Sequence, residues 1–137
     1  MIVADASVVM AVALTEPKFE IARDILAASD LLHAPSLLPY EVVSVLNLAV
    51  RQRRMSSSES LAAIAQFTQL PWSFELQVGG SRLGVILALA AKHKLTGYDS
   101  SYLELAMHTG CPLASFDKDL RAASTAEGVA VLPKKLS

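Results

Sequence analysis

Short apolar, β-branched runs alternate along the chain with longer stretches whose apolar positions recur at helical period. Ile2–Ala4, Leu31–Ala34, Trp72–Val78, Leu113–Phe116 and Val129–Leu132 read as strands. Helical patterns run from Ala6 to Leu14, Pro17 to Ala28, Pro39 to Arg54, the Ser56–Ser58 cluster to Gln69, Ser81 to Lys94, Asp99 to Thr109 and Lys118 to Ala126. Local signals mark the boundaries. Pro17 suits a helix start, the serines at 56–58 and Ser81 suit N-caps, and Gly110 sits where a helix ends in the left-handed region. The Gly79–Gly84 stretch lacks the glycine spacing of a phosphate loop and reads as a turn before a helix. Strand and helix alternating in this way predict an α/β fold with a mainly parallel five-stranded sheet and helices on both faces. No linker or repeat divides residues 1–137, so they are expected to form one domain. In such sheets, sites form beyond the carboxyl ends of the strands.

One position breaks the apolar pattern. Leu37–Val50 contains a single charged residue, Glu41, in the first turn of a helix. The face it shares with Ser44, Val45 and Leu48 is expected to look inward, which would leave a carboxylate needing a partner. Asp5 ends the first strand, Asp117 follows the fourth, and Asp99 opens a helix. Each of these aspartates could simply be an N-cap, and Glu41 a carboxylate favoured by the helix dipole. All four nevertheless fall at the same predicted sheet edge. Asp5 and Glu41 also sit among apolar neighbours, which capping does not require.

Composition narrows the possibilities. The 137 residues are 53% apolar with a formal net charge of −1, so no overall field gathers nucleic acid and any such contact needs a local patch. The single cysteine, Cys111, excludes an internal disulfide and fits a reducing compartment. The opening Met-Ile-Val-Ala-Asp lacks a signal peptide's basic start, and no run is long enough to span a bilayer, so a cytoplasmic protein with no membrane partner is expected. His33, His93 and His108 show no metal-ligand spacing, and no serine-nucleophile elbow is present.

Four acids with no nucleophile of their own point to a metal. Ionised carboxylates crowded together repel and raise one another's pKa, and a divalent cation removes the conflict. Mg²⁺ or Mn²⁺ prefers oxygen ligands and can polarise a phosphodiester and activate water.

The motifs around these acids resemble the PIN-domain family and, within it, the VapC-type toxins of toxin–antitoxin pairs. Asp5-Ala-Ser-Val-Val, Ala34-Pro-Ser-Leu-Leu-Pro-Tyr-Glu41-Val, Leu95-Thr-Gly-Tyr-Asp99-Ser-Ser-Tyr-Leu-Glu-Leu-Ala106 and Leu113-Ala-Ser-Phe-Asp117-Lys-Asp-Leu-Arg-Ala-Ala match the family's motifs in order. The resemblance implies a three-layer α/β/α sandwich. It implies an endoribonuclease in which Asp5, Glu41, Asp99 and Asp117 bind one or two Mg²⁺ or Mn²⁺ ions and water attacks RNA to leave a 5′-phosphate. Ser7 and Ser115 match small polar positions that support the site. The implied partners are RNA, a small antitoxin that lays a helix along the toxin, and a second copy of the chain in a homodimer. Ser44 stands where many members carry Asn, which alters the support for Glu41. That departure keeps open a catalytically weak binding module of the same fold.

The remaining charges are expected on the surface. Asp119 should point away from Asp117. Arg51-Gln-Arg-Arg54 reads as cations at a helix C-terminus. Lys92, Lys94, Lys118 and Arg121 read as solvated charges, the last two being the nearer candidates for phosphate contact because they flank Asp117. Tyr102 is expected in the core, and Tyr98 is not assigned to the site.

Overall fold

The computed structural model describes residues 1–136. Its elements are β1 (Ile2–Ala4), α1 (Ala6–Ala13), α2 (Phe19–Ala27), β2 (Leu32–Pro35), α3 (Leu38–Arg51), α4 (Ser57–Thr68), β3 (Trp72–Glu75), α5 (Gly80–His93), α6 (Gly97–Thr109), β4 (Leu113–Ala114), α7 (Lys118–Ala126) and β5 (Val131–Leu132). The strands form one sheet in the order β3-β2-β1-β4-β5, and every pairing is parallel. β1 lies at the centre. All three of its residues are buried, as a strand covered on both faces requires.

Apolar residues pack into two clusters. Ile2 and Ala4 join Val8, Ala11, Ala22 and Leu26 of α1 and α2, while Val3 joins Leu38, Val42 and Leu46 of α3 and Leu103 and Leu105 of α6. Alternate β1 side chains thus feed opposite layers, giving the α/β/α sandwich expected from the sequence. At the β3 edge, Trp72 stacks on Phe74 with centroids 5.4 Å apart and its indole N–H donates to the Phe67 carbonyl at 2.9 Å. Arg82 of α5 ties that edge to α6. Its guanidinium spans Glu75 at 2.9 Å and Glu104 at 2.6 and 2.9 Å, with all three side chains largely buried.

Several boundaries differ from the sequence reading. α3 stops at Arg51 because the chain turns through a left-handed residue, Arg53, so Arg53 and Arg54 lie beyond the helix end. β3 is shorter than the apolar run that suggested it. α5 is capped by the extended backbone of Gly79 rather than by the Ser81 side chain. α4 has the full capping box, in which Ser56 accepts from the Glu59 N–H at 3.1 Å and Glu59 accepts from the Ser56 N–H at 2.9 Å. No helix among the described residues is long and apolar enough to cross a membrane.

Candidate active site

Asp5 leaves β1 directly into α1. It is the N-cap, accepting from the Val8 N–H at 3.3 Å, and is only 5% exposed. Two hydroxyls hold the same carboxylate. Ser7 donates to Oδ1 at 2.6 Å, and the fully buried Ser115 donates to Oδ2. Both serines also accept backbone N–H groups, Ser7 from Phe116 at 2.9 Å and Ser115 from Asp117 at 3.0 Å. The ends of β1 and β4 are therefore stitched together through one carboxylate that Ser7 and Ser115 both bond. Burial outweighs these bonds and pushes the Asp5 carboxyl up to about 6.

Asp117 caps α7 by accepting from the Leu120 N–H at 2.8 Å, and its side chain is exposed at the sheet edge. Asp99 is not a cap. Thr96 takes that place, accepting from the Asp99 N–H at 3.0 Å, which puts Asp99 at the third helical position. Burial raises the Asp99 pKa first, and the charges of Asp117 and Asp119 raise it further. Asp119 is exposed as expected, yet its charge reaches the site.

Glu41 corrects one expectation. The buried face of α3 runs through Leu38, Val42, Leu46 and Ala49. Glu41 and Val45 are half-buried on its flank, while Ser44 and Leu48 are exposed. That flank does not look into the core. It lines an open groove with Leu37, Tyr40 and Tyr98 beside it. Desolvation raises the Glu41 pKa, and the charge of Asp99 adds to the rise. The one hydrogen bond to the Glu41 side chain among the described residues comes from Tyr102, whose hydroxyl donates to Oε1 at 2.6 Å. Tyr102 is in the core as expected, at 1% exposure, but its phenolic end is part of the site. Burial, the bond to Glu41 and the charges of Glu41, Asp5 and Asp99 all push its pKa up, so it is a fixed proton donor.

Glu41 thus contacts the Tyr102 phenol directly, the charges of Asp5 and Asp99 are felt there, and the charge of Asp117 is felt at Asp99. Among the described residues, no three Asp, Glu, His or Cys side chains stand close enough to enclose an ion together. The donor set still suits a hydrated divalent cation, because Mg²⁺ keeps several waters and takes only one or two carboxylates. All four donors are hard carboxylate oxygens. The three whose pKa values are raised are in the state that a nearby cation would relieve.

Arg121 departs from its expected place. It is 8% exposed and donates to the backbone carbonyls of Ser115 at 3.0 Å and Pro133 at 2.7 Å. It braces the loop that carries Ser115 and is not available as a phosphate contact. Lys118 is exposed, and Lys92 is engaged by Glu127 at 2.7 Å.

The sequence profile of the PIN domain matches residues 2–125. Ribonuclease VapC9 of Mycobacterium tuberculosis is 30% identical over 138 residues, covering 98% of this chain and all of that protein. Ribonuclease VapC3 of Pyrobaculum aerophilum is 28% identical over 119 residues, covering 87% of this chain and 91% of that protein. The crystal structure of Mycobacterium tuberculosis VapC20, a toxin that cleaves the sarcin-ricin loop, superposes with a TM-score of 0.67 at 17% identity, covering 90% of this chain and 95% of that one. At that identity the likeness is one of fold.

Proposed function

From the premise that the chain belongs to the PIN-domain family, we propose that it is a toxin ribonuclease of the VapC type, hydrolysing RNA phosphodiesters with Mg²⁺ or Mn²⁺. The observation that carries this reading is the set of acids linked by hydrogen bonds and charge. A buried Asp5, gripped by two hydroxyls and pushed up to about 6, shares the Ser115 hydroxyl with the Asp117 backbone N–H, while the charge of Asp117 raises the Asp99 pKa and that of Asp99 raises the Glu41 pKa. A fold gains no stability from such an arrangement.

Asp5, Glu41, Asp99 and Asp117 would hold the metal. When bound, a divalent ion there supplies charge for the phosphate, lowers the pKa of a water and steadies the leaving oxygen. The residues of the chain set the geometry. Ser7 and Ser115 fix both oxygens of Asp5, and Tyr102 fixes one oxygen of Glu41. The groove between Tyr40 and Tyr98 offers exposed aromatic faces beside Glu41, where unstacked bases of an RNA strand can rest.

The partners follow from the same reading: RNA as substrate, a small antitoxin as inhibitor, and a second copy in a homodimer, in the cytoplasm, with residues 1–137 acting as one domain. An amphipathic antitoxin helix would find an apolar groove between α1, α2 and α4, lined by Val9, Val12, Leu26 and Phe67.

The test is cleavage of an RNA pool by the purified chain. Activity with Mn²⁺ is expected to vanish with EDTA and in Asp5→Asn and Asp99→Asn. Cleavage indifferent to chelation and to both substitutions overturns the reading. Absence of Mn²⁺ binding would favour the binding module suggested by Ser44.

A further inference from the structure

We infer that Tyr102 is a positioning residue that fixes the orientation of Glu41, a task the exposed Ser44 does not perform. The inference rests on the reading of Glu41 as a metal ligand. Glu41 sits in the first turn of α3, whose N-cap, Leu37, makes no side-chain hydrogen bond. Its carboxylate has rotatable bonds to spare and lies on an open flank. Ser44, one turn further on, is exposed and takes no part in holding it. The one donor is the Tyr102 hydroxyl at 2.6 Å on Oε1.

Tyr102 is suited to that task. A tyrosine ring has two side-chain torsions and a rigid reach, and at 1% exposure its packing allows neither to vary. It lies three residues after Asp99 on α6, so both occupy one face of the helix. The phenol thus sets Glu41 relative to Asp99 through a single rigid ring. It bonds Oε1 and leaves Oε2 free for a ligand. A tyrosine placed only for packing would need some partner for its hydroxyl, but a backbone carbonyl would serve. Here the partner is a carboxylate 61 residues away in sequence and part of the proposed site.

The test is calorimetric titration of the metal-free full chain with Mn²⁺, which reads binding independently of RNA cleavage. Tyr102→Phe removes the hydroxyl and keeps the ring. It is expected to bind Mn²⁺ about tenfold more weakly, the low end of the loss on removing a residue that orients a ligand. Glu41→Gln provides the reference. If Tyr102 acts through Glu41, the double variant binds no more weakly than Glu41→Gln alone. Unchanged affinity in Tyr102→Phe, with Glu41→Gln weakened, overturns the inference and leaves the metal-site reading standing. Additive losses in the double variant also overturn it, because Tyr102 would then act elsewhere. Unchanged affinity in Glu41→Gln removes the reading of Glu41 as a ligand, and the inference with it. Should Tyr102→Phe not fold, Glu41→Asp keeps the charge but withdraws the carboxylate from the phenol. A loss matching that of Glu41→Gln supports fixed positioning, and wild-type affinity overturns it.

Discussion

The hydroxyl of Ser115 donates to Oδ2 of Asp5, joining two residues 110 positions apart at the carboxyl ends of adjacent strands. The same hydroxyl accepts from the Asp117 N–H at 3.0 Å, so one buried oxygen aligns the acids that follow β1 and β4. A serine this buried is held by its bonds rather than by water.

Ser115→Ala leaves a buried carboxylate oxygen and the Asp117 amide without their partner. Such losses cost about 1–3 kcal/mol. Urea unfolding at neutral pH should show that decrease, together with loss of RNA cleavage. A variant as stable and as active as the parent chain would mean that Ser115 does not organise the site.

Asp5 makes stability depend on pH in an unusual direction. Its carboxyl titrates near 3.8 in the unfolded chain and is pushed up to about 6 in the fold. The folded chain therefore binds the proton more tightly, and acid favours folding at this position. The contribution is greatest below the unfolded value and is lost as pH rises through about 6. At pH 8 the ionised, buried group costs about 3 kcal/mol. Asp5→Asn should accordingly be more stable than the parent in metal-free buffer at pH 8, with the advantage fading towards pH 4. Thermal melts across that range decide it, and equal stability at pH 8 would contradict a burial penalty.

Metal binding should draw on the same proton. A ligand must be ionised to bind, so at pH 6, where Asp5 is about half protonated, Mn²⁺ should expel protons and bind more weakly than at pH 8. Titrations in buffers of different ionisation enthalpy measure the released protons. Release is expected at pH 6, little at pH 8, and less in Asp5→Asn than in the parent at pH 6. An affinity independent of pH across this interval would place Asp5 outside the metal's ligands.

The order of elements was legible because strand and helix write different periods, and a βα edge collects residues at strand ends. Asp5 and Asp117 could be found from that rule alone, whereas Ser7 and Ser115 came only with the resemblance of their motifs to the PIN-domain family. The Tyr102 hydroxyl could not be placed so easily, because α6 is buried continuously from Tyr102 to Ala106 and such a stretch has no single informative face. The usable signal was chemical: a buried phenol needs an acceptor, and Glu41 needed a donor. Arg121 lies on a helix whose neighbours Lys118 and Asp119 are exposed. It is buried because the chain after β5 returns to place the Pro133 carbonyl against it, a long-range contact without a local pattern. Glu41's flank does not follow the apolar pattern because α3 carries apolar residues beyond its buried face, with Val43 and Leu48 exposed.

The clamp between α5, α6 and β3 yields the last prediction. Arg82 meets Glu104 with two hydrogen bonds and Glu75 with a third. The Glu104 side chain is 6% exposed, so it has little water to turn to if the guanidinium is removed, while Arg82 itself is 20% exposed. Breaking a fully buried pair by deleting one partner typically costs about 3–5 kcal/mol. The partial exposure of Arg82 and Glu75 argues for a smaller loss here, about 2–3 kcal/mol for Arg82→Met. Removing the stranded charge as well, in Arg82→Met with Glu104→Leu, should recover much of that stability, since the penalty belongs to the unpaired carboxylate rather than to a missing attraction. Urea unfolding of the two variants beside the parent measures both steps. Because α6 carries Asp99 and Tyr102, Arg82→Met should also weaken Mn²⁺ binding, and the double variant should restore it in step with stability. A single variant within about 0.5 kcal/mol of the parent, the range of ordinary surface changes, would show that the clamp does not hold α5 against α6.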